Sequence, residues 1–107
     1  INIMIKKLLL TAALLAVTST AKADRVNDLC NLVSKNASKI MELRQSGTTM
    51  KEVLDLVKGS ELFKRLTVEA YSKPKYLSDS DKVQATAAFG NSVRLVCLET
   101  FGKVSRS

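Results

Sequence analysis

Two cysteines, Cys30 and Cys97, each sit on the apolar stripe of a helical pattern, and the chain has no third to compete for either of them. Around the first, Val26, Leu29, Cys30, Val33, Ala37, Ile40 and Met41 recur at spacings of three and four, so they line one side of a helix whose other sides carry Asn, Ser, Lys and Glu. Around the second, Ala85, Ala88, Phe89, Val93, Val96 and Cys97 follow the same rule. A single disulfide between them would tie the first helix to the last, provided the chain reaches an oxidising compartment.

The opening residues bear on that condition. Lys6 and Lys7 give a charged start, Leu8 to Val17 an apolar run broken only by Thr11, and Ala21 and Ala23 the small residues of a cleavage site. This is the pattern of a secretory signal peptide over residues 1–23, with a single domain over residues 24–107. The run gives way to Thr18, Ser19 and Thr20 well short of the roughly 20 apolar residues a membrane-spanning helix needs, so no stable span is expected after cleavage. Cutting after Ala23 removes Lys6, Lys7 and Lys22 and lowers the formal net charge from +7 to +4. The remaining 84 residues bury only about 60 to 65% of the surface of their unfolded chain, a marginal core that a covalent staple would reinforce.

The rest of the chain reads as four helices. The first starts near Asp24 to Asn27, runs to Gln45, and stops at Ser46 and Gly47. Thr49 stands three residues ahead of Glu52, the capping-box spacing, and opens a short second helix ending near Lys58 and Gly59. Ser60 caps a third helix that carries Leu62, Phe63, Leu66, Ala70 and Tyr71, and Pro74 closes it. After a loop, with Ser78 and Ser80 as competing caps, the fourth runs from about Asp81 to Phe101 and ends at Gly102. Gly90, inside it, either permits close approach of a neighbouring helix or marks a kink. No segment alternates with period two, so the expected fold is an all-α, four-helix domain stapled by one disulfide and preceded by a signal-peptide helix.

Several chemistries are excluded by residue type. The chain has no histidine, which removes Ser-His and Cys-His nucleophile pairs and the usual zinc-site imidazoles. Cysteines 67 positions apart make no Cys-x-x-Cys motif, and no glycine-rich phosphate loop is present. Ser72 to Lys75 fits Ser-x-x-Lys, but Pro74 breaks the helical turn that would aim the lysine at the serine. Asp79 and Asp81 lack the glycine and distal glutamate of a calcium loop and read as helix-start residues. Neither a metal nor a cofactor is expected, and the chain does not read as an enzyme. Nucleic acid is a poor candidate given the secretion signal and the modest charge.

What remains is surface. Lys64, Arg65, Lys73 and Lys75 cluster in the sequence around the third helix and its exit, with Tyr71 and Tyr76 as aromatic rims, and Arg44 near the end of the first helix joins them as a candidate binding residue. Such a patch suits an acidic protein, a cell-wall polymer or a phospholipid head group, and it also fits a plain solvated face.

The spaced set Cys30, Ala37, Ile40-Met41, Arg44-Gln45, Gly47, Met50, Ala70-Tyr71, Pro74, Tyr76, Phe89, Asn91 and Cys97 resembles small secreted two-cysteine helical proteins of gammaproteobacteria and their phages. The resemblance covers nearly all of the chain after the leader and brings no catalytic residues with it. It implies a bacterial or phage setting. In build alone the chain is also similar to acid-stress chaperones, lysozyme inhibitors and immunity proteins, a likeness that does not transfer function. The expected role is a non-catalytic periplasmic or secreted protein that binds or inhibits an envelope, phage or toxin protein. A periplasmic stress chaperone is the alternative.

Overall fold

The stop of the first helix and the start of each later one follow from a capping residue. In the computed structural model, which describes residues 24–102, Gly47 takes φ +96° at the end of α1 (Asn2–Ser46). Its amide reaches Arg44 O at 3.2 Å and the Thr48 amide reaches Leu43 O at 3.0 Å, the paired bonds of a Schellman stop. Thr49 then opens α2 (Met50–Leu56) with both halves of a capping box: the Glu52 amide donates to Thr49 Oγ1 and the Thr49 amide donates to Glu52 Oε2. The Phe63 amide donates to Ser60 Oγ at the start of α3 (Glu61–Tyr71), and the Asp81 amide to Ser78 Oγ at the start of α4 (Asp79–Arg106). The fold is therefore all-α with four helices, and among the described residues there is no strand.

The disulfide forms as expected, joining Cys30 to Cys97 with their Cα atoms 5.5 Å apart. It belongs to a longer antiparallel seam between α1 and α4. Ser34 Oγ donates to Gly90 O at 2.9 Å, Ser38 Oγ to Thr86 O, and Arg94 Nε to Asn31 Oδ1 at 2.8 Å, so residues ascending α1 meet residues descending α4. At Gly90 the two helices approach closely, because a Cβ there would run into Ser38 Oγ. Of the two readings of Gly90, close approach is the one realised. The core lies towards the far end of this hairpin, where α2 and α3 fold back on α1 and bury Ala37, Ile40, Met41, Val53, Ala70 and Phe89. Thr67, buried on α3, donates its hydroxyl to Phe63 O and leaves no polar debt in that core.

Three expectations differ from the structure. The start of α1 expected near Asp24 to Asn27 falls at the edge of the described residues. Helix α2 stops at Leu56, and Gly59 has no left-handed φ, because the turn closes instead through the Ser60 amide on Val57 O. Helix α4 begins two residues early, since Ser78 wins over Ser80 as the cap, and Gly102 lies within it without a left-handed φ. Ala88 and Val96, read as core, are exposed on α4 because no helix covers that flank. The leader over residues 1–23, with its cleavage positions Ala21 and Ala23, lies outside the described residues. Among those described, no helix is long and apolar enough to cross a membrane.

Candidate binding site

The uncovered flank of α4 is one wall of a groove of about 690 Å³. Helix α3 is only 11 residues long and packs chiefly on α1, so α3 and α4 stand apart along most of their length with α1 as the floor. Val33 and Met41 rise from that floor, and Leu62, Leu66 and Glu69 form the α3 wall. Ala85, Ala88, Val93, Val96 and Phe101 form the α4 wall. One end is closed by the loop after α3, which contributes Lys73, Pro74 and Tyr76. The charged residues that line the groove are Glu69 and Lys73, both at this end and paired at 3.5 Å.

That loop is pinned from beneath by Gln45. Its side chain is 2% exposed; Nε2 donates to Pro74 O and Oε1 accepts from the Tyr76 amide, both at 2.9 Å. One buried amide thus satisfies a carbonyl and an N–H two residues apart, fixing the loop to the end of α1. Arg44 reinforces it by donating from Nη2 to Lys73 O at 3.2 Å, while its guanidinium carbon lies 5.1 Å from the centre of the Tyr71 ring. Arg44 Nε is buried without a hydrogen-bond partner. The Tyr71 hydroxyl donates to Thr48 O, so the ring links α3 to the α1–α2 corner. Burial raises the Tyr71 phenol above its ordinary value; the nearby Arg44 charge works against this and Glu52 adds to it.

The residues singled out from the sequence are only partly brought together. Arg44, Tyr71, Lys73, Lys75 and Tyr76 converge on the α3 exit, where the Lys75 ammonium stands 3.2 Å from where a Cβ on Gly47 would lie. Arg44 and Tyr71 are engaged in holding the fold, which leaves Lys73, Lys75 and Tyr76 as the exposed members of the group. Lys64 and Arg65 do not line the groove; Lys64 pairs with Glu61 at 3.1 Å and Arg65 is exposed on α3. Gln45 was not among the expected site residues. Its signal was available, since it lies four residues beyond Met41 on the buried stripe, a place where a polar side chain needs a partner.

Asp79 and Asp81 sit in the first turn of α4, where acidic side chains favour the helix end. Among the described residues no three His, Cys, Asp or Glu side chains gather as a metal ion would need. Compared with known proteins, the chain matches no family model, no curated protein and no solved structure.

Proposed function

We propose that this is a small exported, non-catalytic binding protein that engages an acidic surface of an envelope, phage or toxin protein. The observation that carries the reading is the loop held by Gln45 and Arg44, which presents Lys73, Lys75 and Tyr76 in one fixed arrangement. Groups ordered before the encounter lose little freedom on binding, and clustered cations speed it by steering. The buried Cys30–Cys97 bond fits an oxidising compartment such as the periplasm, in line with the leader pattern and the bacterial or phage resemblance.

The test is affinity capture from periplasmic extract with wild-type and Lys73→Glu/Lys75→Glu protein as paired baits. A partner held by the wild type, released by about 0.5 M salt and lost from the variant is the expected result, since salt at that level screens exposed charges beyond a few ångströms. Identical captures from both baits, or turnover of cell-wall substrate by the pure protein, would overturn the reading. The chaperone alternative draws on Val83, Leu95 and Val96, which α4 leaves exposed. Light scattering from aggregating clients separates the two: a chaperone protects many clients, more so below about pH 5 where carboxylates titrate, and a dedicated binder protects none.

A further inference from the structure

The groove points to a second ligand, which shares Lys73 with the protein-docking reading but rests otherwise on the apolar walls, so that loss of binding in the wall variants separates the two. We propose that it holds one long-chain fatty acid, with the carboxylate at Lys73 and the tail directed towards Leu62, Val96 and Phe101.

Three features carry this. Charge is confined to one end: Lys73, Lys75 and Arg44 gather there against Glu69 and, behind Tyr71, Glu52, which leaves that end net positive, whereas the walls beyond it carry no charge and are apolar apart from Ser92 and Thr100. An anionic head and a hydrocarbon tail match that division. Length agrees as well. From Ala85 to Phe101 the α4 wall extends about 24 Å at 1.5 Å per residue. A sixteen-carbon chain, advancing about 1.3 Å per tetrahedral carbon, spans about 20 Å. Volume is consistent too: the groove's 690 Å³ falls inside the usual range for small-molecule sites.

Calorimetric titration of the oxidised protein with palmitate, dodecanoate and octanoate, each below its aggregation concentration, tests the proposal. Palmitate is expected to bind one per chain, and each two-carbon shortening to weaken binding about tenfold, as the loss of two buried methylenes dictates. Val96→Asp, at a position 60% exposed, should abolish binding, and Ala88→Asp provides the same block if the first variant unfolds. Lys73→Glu should weaken palmitate about tenfold and favour hexadecyltrimethylammonium in its place. Arg65→Glu, away from the groove, should change nothing. No heat with palmitate, affinity indifferent to chain length, or undiminished binding by folded Val96→Asp or Ala88→Asp protein would each overturn it.

Discussion

Gln45 and Tyr71 tie the loop after α3 and the α1–α2 corner into the fold. Replacing Gln45 by Leu keeps the volume but strips the Pro74 carbonyl and the Tyr76 amide of their shared partner. The expected cost is about 2 kcal/mol, read as a lower denaturation midpoint with faster hydrogen exchange at the Tyr76 amide. Tyr71 makes an alkaline prediction. Its neutral phenol is favoured in the fold, so the stability it supplies is complete below its ordinary value of 10.0 and is lost as pH climbs through the raised folded value. Melting temperature measured from pH 8 to 11.5 should fall more steeply for wild type than for Tyr71→Phe. At this scale the sequence was only partly legible. Thr49, Ser60 and Gly47 announced their roles because caps and a left-handed turn are local chemistry. The role of Gln45 was hidden because its partners lie 29 and 31 residues away.

Between elements, the α1–α4 seam depends on small residues. Gly90→Ala drives a methyl into Ser38 Oγ and should cost about 1 to 3 kcal/mol, the usual range for overpacking. Adding Ser38→Ala removes the obstructing oxygen and forfeits only the long 3.4 Å bond to Thr86 O, so the double variant should recover most of the loss in a thermal melt. Helical periodicity exposed the existence and order of these helices. It could not show that α3 leaves one flank of α4 bare, because a stripe of apolar residues states which side of a helix seeks cover and not what provides it. Ala88 and Val96 therefore looked like core and turned out to be groove wall.

For the whole molecule the largest single term is the bond between Cys30 and Cys97. Closing a loop with a sequence separation of 67 contributes about 4 kcal/mol in the chain-entropy view. Reduction should lower the melting temperature by about 20 °C for a domain of this size, checked by calorimetry with the thiols assayed as free. A fall of only a few degrees would mean that the seam and the distal core hold the hairpin without the bond. The pairing was legible because the chain offers each cysteine one mate. The groove was not, since it arises from a mismatch between one short helix and two long ones.

The antiparallel seam also sets a schedule. A chain made or threaded from its amino end presents Ser34 and Ser38 roughly fifty residues before Thr86 and Gly90 emerge to receive them. Until then α1 has nothing along that side, and the loop to be closed is long enough to make closure slow. Nascent chains arrested before α4 should accordingly be cut by protease throughout, and resistance should arrive in one step when the last helix clears the exit.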